Sequence, residues 1–391
     1  MSRSEKAAPY LAGTVASTTG SIATFGIAIA GLSAMGANSQ QSATAIFMML
    51  IGYGVLSIGL SYWLKMPISV VWSTPGAAFL ATSGALGLSF EVAAGAFLVS
   101  SALIIITGLW PSLSRFVSRI PPQISAAMLA GVIFPFVVAT VHAAVDFPVL
   151  VLPVVITWLV LNRVATVWAS PLAIGLGFVL IALSPEASSF HVDSLWPEFS
   201  LVVPQFELAA ILAIGIPLYL ITMASQNLPG IAIMNSLGYR LPVGKVLTAT
   251  GIGSLLTSFF GGFGLNLAAI TAALNADSGA SKNPNRRWVA AAFGGVVYIL
   301  FALLAAPFTA FVLAVPRELL LALAGLALVN TFANSVKTAV VDDELRLPGI
   351  VTLVIGAAGI TVFGIGGAFW ALVTGVLVWL SARSIRRVRD E

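Results

Sequence analysis

The chain has 391 residues and a formal net charge of +4; hydrophobic residues make up 59% of it and charged residues only 8%. So few charges cannot cover the surface of a water-soluble domain. The composition therefore excludes a soluble globular protein and predicts a polytopic integral membrane protein. The sequence contains no cysteine, which excludes disulfides and thiol chemistry.

The sequence carries no motif typical of an enzyme, since it has no nucleotide-binding loop, catalytic triad or metal-ligand cluster. Its two histidines, His142 and His191, lie far apart without ligand spacing. Basic residues are spread over loops and do not form the patch that binds nucleic acid. We therefore predict no enzyme activity, no cofactor, no metal and no nucleic-acid partner. Residues 1–9 lack the pattern of a signal peptide, so the first span is expected to stay attached.

Apolar runs recur along the whole chain, and about 20 residues suffice for one membrane span. The candidate segments lie at residues 11–34, 43–64, 67–88, 92–110, 122–141, 147–162, 168–184, 207–227, 245–258, 261–275, 288–312, 318–336, 348–366 and 367–382. The sequence thus predicts an all-α polytopic membrane protein with about fourteen transmembrane segments.

The distribution of basic residues tests this count, because cytoplasmic loops carry an excess of Lys and Arg. With a cytoplasmic N-terminus and alternating segments, all 18 basic residues except Arg317 fall inside, including Arg115, Arg119 and the C-terminal tail. The loop 185–206 falls outside and carries the acidic residues Glu186, Asp193 and Glu198 without any Lys or Arg. Both termini are therefore predicted to be cytoplasmic.

The chain also shows signs of internal duplication. An Ile-Pro-Pro-Gln motif at 120–123 precedes an Ala-rich run that ends at Gly131, and Val-Pro-Arg-Glu at 315–318 precedes a similar run that ends at Gly325. In the predicted topology the two motifs enter their spans from opposite sides. This indicates two inverted repeats of seven segments, an arrangement typical of transporters.

The third predicted segment is interrupted at Val70–Phe79. Its β-branched start followed by Thr74 and Pro75 predicts a short strand and then a half-helix, with Thr74 as N-cap and Pro75 as the first helical residue. The tenth segment repeats this signal at Phe259–Thr271, where a Gly-rich stretch precedes Asn266 as candidate N-cap. The alternative for each is a kinked helix packed through small residues.

Two half-helices that start near the membrane midplane would point their N-termini at each other. Each N-terminus carries a partial positive charge and unpaired N–H groups, so the pair predicts an anion site without basic side chains. A carboxylate substrate fits such a site. As a group, nearby aromatic residues are candidates to hold its apolar body: Phe25, Trp72, Phe79, Phe259, Phe260 and Phe263.

The polar stretch Thr222–Ile231 follows a long apolar run. Its Ser225, Gln226 and Asn227 would be costly inside hydrocarbon without partners, and a Pro-Gly pair follows them. This pattern favours a binding site over the alternative, a polar seam between two helices. Further candidates for the same cavity are Ser73, Thr222, Thr271, Thr18 and Thr19.

Three stretches, 72–78, 222–230 and 268–273, resemble the benzoate/proton symporter family (BenE type), and the resemblance runs over essentially the whole chain. That family is similar in architecture to the uracil transporter and to sulfate and bicarbonate carriers. The resemblance implies a core domain (1–119 and 207–312), a gate domain (120–206 and 313–391, with the basic tail) and a possible homodimer through the gate. It also implies that the third and tenth segments each consist of a strand and a half-helix.

One departure from related carriers bears on the substrate. Nucleobase carriers of this architecture have carboxylates in the eighth and tenth segments, whereas this chain has Ser225, Gln226, Asn227 and Asn266 there. This argues for an anion, which a buried carboxylate would repel. It also removes the obvious proton carrier, so the nearest titratable pair, His142 and Asp146, and the substrate itself are the alternatives for proton coupling.

The sequence as a whole predicts a secondary transporter of a bacterial-type inner membrane. It would import benzoate or a similar aromatic carboxylate with protons, by alternating access. A carrier for an aliphatic carboxylate or inorganic anion, a passive anion channel and a membrane scaffold are the alternatives. The expected partners are the small anion, protons and the lipid bilayer.

Overall fold

The computed structural model describes residues 3–110, 121–185, 196–268, 270–363 and 365–390. Its α-helices are α1 (Arg3–Ala34), α2 (Ser39–Leu64), α3 (Thr74–Thr82), α4 (Phe90–Leu109), α5 (Pro122–Asp146), α6 (Pro148–Val164), α7 (Thr166–Ala182), α8 (Leu208–Ser236), α9 (Val243–Ser258), α10 (Ile270–Ala276), α11 (Trp288–Ala302), α12 (Ala305–Ala314), α13 (Arg317–Val340), α14 (Arg346–Ala357) and α15 (Gly367–Asp390). Four two-residue strands form two antiparallel pairs: β1 (Val70–Val71) with β2 (Asn266–Leu267), and β3 (Thr361–Val362) with β4 (Ile365–Gly366).

The prediction of fourteen transmembrane segments in two inverted repeats of seven is wrong. Among the described residues, five helices are long and apolar enough to cross a membrane: Ser39–Leu64, Phe90–Leu109, Pro122–Asp146, Leu208–Ser236 and Glu318–Val340. The number rises to seven if two bent pairs each count as one span, with bends of 41° in α1 and 63° between Pro284–Ala302 and Ala305–Ala314. The structure is therefore a helical polytopic membrane protein with five to seven candidate spans.

The overcount has a physical reason. Apolar composition marks residues that avoid water, but a span also needs about 20 helical residues at 1.5 Å each to cross about 30 Å of hydrocarbon. The helices α6 and α7 have 17 residues each, α14 has 12 and α10 has 7. In the two interrupted segments, strand pairing replaces part of the helix, so neither is long enough to be a span.

Helix α8 changes its winding twice. Two π-helical turns, at Ile211–Gly215 and Met223–Asn227, interrupt it, and each lies just before a proline, Pro217 or Pro229. Proline has no N–H to donate to the preceding turn, and the wider π turn accommodates the missing hydrogen bond. The polar triplet identified in the sequence therefore lies in a distorted helical turn.

Glycines allow the long helices to approach each other closely. A Cβ built on Gly54 of α2 would lie 2.7 Å from the Gly295 carbonyl oxygen of α11. On Gly325 of α13 a Cβ would overlap the Phe136 carbonyl oxygen of α5. Thr140 of α5 also donates a hydrogen bond of 2.9 Å to the Ala322 carbonyl oxygen of α13. These contacts lock α2 to α11 and α5 to α13.

The extended segment 196–206 lies against α4 and the end of α9. The Gln205 N–H donates to the Glu91 carbonyl oxygen at 2.9 Å, and the Val202 N–H to the Phe259 carbonyl oxygen at 2.8 Å.

Some residues used in the sequence predictions lie outside the described residues: Arg115, Arg119, Ile120, Glu186, His191 and Asp193. The predicted boundary between the core and gate domains, at residues 119 and 120, also lies outside the described residues.

Candidate functional site

The two interrupted segments meet through the β1–β2 pair. Val70 pairs with Leu267 and Val71 with Asn266, and the Ala268 N–H extends the contact by donating to the Ser69 carbonyl oxygen at 2.9 Å. This pairing satisfies backbone groups that helical bonds do not reach inside the membrane region. It places the residues that precede α3 and α10 side by side.

Serine side chains of neighbouring helices hold the same extended backbone. On the first segment, Ser57 Oγ of α2 accepts the Val70 N–H at 2.9 Å, and Ser61 Oγ bonds both the N–H and the carbonyl of Ile68. On the second, Ser254 Oγ of α9 accepts the Leu265 N–H at 2.7 Å and donates to the Leu265 carbonyl oxygen at 3.0 Å. Buried hydroxyls thus replace helical partners on both sides of the strand pair.

The polar turn of α8 joins this arrangement through Asn227. Its side chain is fully buried, and its Oδ1 accepts the Leu267 N–H at 3.0 Å. Its amide nitrogen contacts the Met223 sulfur at 3.3 Å. Asn275 of α10 makes a similar link, donating to Ser69 Oγ at 2.9 Å. Asn227 therefore connects α8 to the strand pair.

A cavity of about 960 Å³ lies beside the strand pair. The helices α1, α2, α3, α5, α7, α8, α10, α11 and α13 all contribute to its walls. The polar side chains among its described lining residues are hydroxyls, amides and the Trp72 indole. Such a cavity is large enough for a small organic molecule.

Six of the predicted site residues line this cavity: Thr19, Trp72, Thr74, Ser225, Gln226 and Thr271. Ser225 is half-buried and donates to the Ile221 carbonyl oxygen of its own helix at 2.7 Å. Thr18 is half-buried next to Thr19, but it does not line the cavity. Ser73, Thr222, Asn227 and Asn266 are buried behind the walls.

Both predicted helix caps need correction. The N-cap of α3 is Ser73, whose Oγ accepts the Gly76 N–H at 2.9 Å, while Thr74 is the first helical residue. Asn266 lies in strand β2, ahead of α10, and donates from its amide to the Leu267 carbonyl oxygen at 2.9 Å. Ser, Thr and Asn are all accepted as N-caps, so composition alone could not decide between neighbouring positions.

Of the six aromatic candidates, Trp72 alone is among the cavity-lining residues. Its Nε1 donates to Thr24 Oγ1 at 2.9 Å, and Thr24 donates onward to the Gly20 carbonyl oxygen at 2.8 Å. Phe25 supports Trp72 from behind, with ring centroids 5.4 Å apart. Phe79 and Phe263 are buried away from the cavity, Phe260 is half-buried and Phe259 is 38% exposed.

The pair considered for proton coupling lies elsewhere. His142 and Asp146 are both exposed near the C-terminal end of α5, and neither lines the cavity. An exposed position at a helix end gives neither residue contact with a substrate in this cavity.

Sequence reasoning missed two groups of lining residues. One is the tyrosine pair Tyr53 of α2 and Tyr298 of α11. The other is a polar stripe along α13: Asn330, Thr331, Asn334, Ser335 and Thr338. The spacing of four residues from Asn330 through Asn334 to Thr338 would have identified one polar helix face.

The helices and their central cavity define a multi-pass membrane protein. The solved transmembrane domain of a cyanobacterium bicarbonate transporter, BicA, is similar, with a TM-score of 0.62 and 17% identity over 98% of each chain. The inward-facing structure of murine Solute Carrier 26 family member A9, an anion transporter, also gives a TM-score of 0.62, with 14% identity over 98% of this chain and 68% of that one. At these identities the similarity establishes the fold.

The sequence comparisons identify the family. The model of the family described as "Benzoate membrane transport protein" (BenE) matches residues 4–380, so the chain belongs to this family. The inner membrane protein YdcO of Escherichia coli is 34% identical over 342 residues, 87% of each chain. The benzoate membrane transport protein of Acinetobacter baylyi is 29% identical over 346 residues, 88% of this chain and 86% of the relative. The expected family resemblance is therefore confirmed.

Proposed function

We propose that the protein is a secondary active transporter that imports benzoate, or a similar aromatic carboxylate, together with protons. The observation that carries this proposal is the cavity of about 960 Å³ beside the strand pair, with hydroxyl and amide walls and one indole. Neutral hydrogen-bond donors bind a carboxylate through charge-assisted bonds, and apolar walls receive the ring. Family membership and the similarity to the benzoate membrane transport protein of Acinetobacter baylyi support the choice of substrate.

In this proposal Thr19, Thr74, Ser225, Gln226 and Thr271 contact the substrate. All five line the cavity, and all carry groups that donate hydrogen bonds without a formal charge. The backbone that carries these side chains is supported by buried polar residues, Ser73, Thr222, Asn227 and Asn266. Thr18 supports Thr19 within α1. Trp72 presents the apolar wall, with its N–H already bonded to Thr24.

The proposed coupling places the proton on the substrate itself. The polar groups of the described lining residues are hydroxyls, amides and one indole, none of which takes up a proton near neutral pH. An aromatic carboxylic acid titrates near the range of a Glu side chain, about 4.3. Binding a proton with the carboxylate removes most of the cost of carrying a charge through the membrane interior.

Alternating access would occur between a core (1–119 and 207–312) and a gate (120–206 and 313–391). The cavity walls support this division, because Thr19, Trp72 and Thr271 belong to the proposed core while Ser125 and Asn334 belong to the proposed gate. The segment 196–206 ends the first gate range, and its hydrogen bonds to Glu91 and Phe259 connect that range to the core. We further propose an inner-membrane location, cytoplasmic termini and a homodimer.

Uptake of labelled benzoate into proteoliposomes, with and without an inward proton gradient, tests the function. Empty liposomes must run in parallel because benzoic acid crosses bilayers unaided. We expect protein-dependent accumulation that an uncoupler abolishes. Uptake equal to that of empty liposomes would rule out benzoate transport, and protein-dependent uptake of bicarbonate or sulfate in its place would identify an inorganic anion carrier.

A pair of variants connects the activity to the cavity. Gln226→Leu keeps the approximate volume of the side chain but removes its amide from the wall, and we expect benzoate uptake to fall about tenfold, the effect of one lost hydrogen bond to a charged group. Leu159→Ala changes an exposed residue of α6 outside the cavity and serves as the control. Equal uptake by both variants would exclude Gln226 from the binding site.

A further inference from the structure

We propose that the hydroxyl groups of Thr19, Tyr53 and Tyr298 bind the carboxyl group of the transported substrate. This inference rests on the proposed function, which names an aromatic carboxylate but gives neither tyrosine a role. The three residues, called the hydroxyl triad below, come from three helices, α1, α2 and α11. All three line the cavity.

The first observation is that these hydroxyls lack partners. The side-chain oxygens of Thr19, Tyr53 and Tyr298 are buried, and no atom of the described residues forms a hydrogen bond with any of them. The residues themselves are 9%, 1% and 2% exposed. Tyr298 Oη comes close to the hydroxyls of Ser17 and Thr271 without reaching hydrogen-bond geometry. A buried hydroxyl without a partner is unfavourable, and each of these belongs to a residue that lines the cavity, so a polar group of a ligand is the partner that we infer.

The second observation is that the two tyrosines lie together, beside a space at Gly20. The rings of Tyr53 and Tyr298 pack edge to face with centroids 5.7 Å apart, which places the tyrosines side by side on neighbouring helices. A Cβ built on Gly20, the residue after Thr19, would lie 3.9 Å from Tyr298 Oη and 3.6 Å from Thr271 Oγ1. The missing side chain at Gly20 therefore leaves a space that faces hydroxyls from both α10 and α11.

Two other side-chain donors of the cavity wall are already engaged. The Trp72 Nε1 donates to Thr24, and the Ser225 hydroxyl donates to Ile221. At the start of α3, the Gly76 N–H is bonded to Ser73 Oγ, the Ala77 N–H is bonded to the Ser73 carbonyl, and Pro75 has none. This helix start therefore offers little to an anion, whereas the hydroxyl triad offers three donors that are not in use.

The chemistry of the triad fits a carboxyl group. A carboxylate accepts several hydrogen bonds through two oxygens, and a protonated carboxyl group needs both donors and an acceptor. A phenol or threonine hydroxyl rotates to serve as either, so the triad can bind the substrate before and after protonation. Tyr53 also packs against Trp72 with ring centroids 5.4 Å apart, so the aromatic wall lies next to the donors.

Binding of benzoate to the purified full-length protein, measured by titration calorimetry, tests the proposal. Tyr53→Phe and Tyr298→Phe each remove one oxygen and keep the ring, and we expect each to weaken benzoate binding at least tenfold. The unfolding temperature should stay equal or rise, because the two tyrosine hydroxyls form no hydrogen bond with the described residues. Tyr219→Phe is the matched control: Tyr219 is buried, its hydroxyl is bonded to Thr107 at 2.6 Å, and it does not line the cavity. It should lower the unfolding temperature and leave the affinity unchanged.

Two further comparisons separate the possible failures. Gly20→Ala fills the space beside the hydroxyls at ordinary contact distances and should weaken benzoate binding about tenfold without unfolding the protein. Benzamide, an uncharged relative of benzoate, should lose less affinity than benzoate in the tyrosine variants, since only the carboxylate forms charge-assisted bonds. Equal losses for both ligands would overturn the carboxyl assignment. Wild-type affinity in both tyrosine variants would overturn the inference but keep the proposed function, whereas a wild-type protein that does not bind benzoate would overturn both.

Discussion

Asn227 and Leu267 are joined by a hydrogen bond of 3.0 Å from the Leu267 N–H to the Asn227 side-chain oxygen. The bond connects the π-helical turn of α8 to strand β2, and both residues are almost completely buried. Asn227 therefore supports the backbone behind the cavity, whereas its neighbours Ser225 and Gln226 face the cavity itself.

We predict that Asn227→Ala destabilises the fold more than it weakens substrate binding. The change leaves the Leu267 N–H buried without an acceptor, at a cost of about 1–3 kcal/mol. Thermal unfolding followed by intrinsic tryptophan fluorescence measures this effect. The control is Ser225→Ala, because the Ser225 hydroxyl bonds only within its own helix among the described residues. If Asn227→Ala unfolded at the wild-type temperature and lost benzoate affinity, Asn227 would be a substrate ligand.

Gly325 of α13 is predicted to tolerate no side chain. A methyl group there would overlap the Phe136 carbonyl oxygen of α5, and overpacking costs about 1–3 kcal/mol or more where backbone has to move. Gly325→Ala should therefore lower the unfolding temperature.

The matched control for Gly325→Ala is Gly59→Ala in α2. A Cβ on Gly59 would contact nothing within 4 Å, and alanine is favoured over glycine inside a helix by about 0.5–1 kcal/mol. We expect this variant to unfold at an equal or higher temperature. Similar effects of the two substitutions would contradict the close packing of α5 and α13.

The polar stripe of α13 is predicted to be in contact with water. The protein has no cysteine of its own, so a single Asn334→Cys substitution gives an unambiguous target. Asn334 is exposed and lines the cavity, so its thiol should react with N-ethylmaleimide, and saturating benzoate should slow the reaction. The neighbouring Ala333 is also exposed but does not line the cavity, and Ala333→Cys should react slowly. Equal reactivity of the two thiols, unaffected by benzoate, would exclude a water-filled path along this helix.

The proposed orientation predicts opposite labelling at two exposed sites. Ser39 is the first residue of α2, on the predicted outer side, and Asn285 lies in the basic loop before α11 on the predicted cytoplasmic side. In intact cells a membrane-impermeant maleimide should label Ser39→Cys, and Asn285→Cys only after lysis. The reverse pattern would place the termini outside.

Composition and residue pattern identified the class of protein and the family, but they did not give the number of spans. Apolar content shows which residues avoid water. It does not show whether an apolar run forms one continuous helix of spanning length, and the short helices α14 and α10 do not. That depends on backbone partners far along the chain, such as the pairing of Val70 with Leu267.

The candidate site was predictable only in part, for a similar reason. Ser225 and Gln226 stand out as polar residues in an apolar run, and both line the cavity. Asn227 has the same signal in sequence but bonds to a strand. Tyr53 gives almost no signal, because a tyrosine in an apolar helix usually has a bonded hydroxyl, and only the packed structure shows that this one has no partner among the described residues.

The β1–β2 pairing has a consequence for biosynthesis. Its two strands are about half the chain apart, so the ribosome completes β1 long before β2 exists. The serines that hold the first segment, Ser57 and Ser61, belong to the preceding helix α2 and are already in place. Their hydroxyls can accept the N–H groups of Ile68 and Val70 before β2 has been synthesised. The cavity wall itself forms only after residue 267 has been inserted, so truncated chains that end before it lack the binding site however well their first helices are inserted.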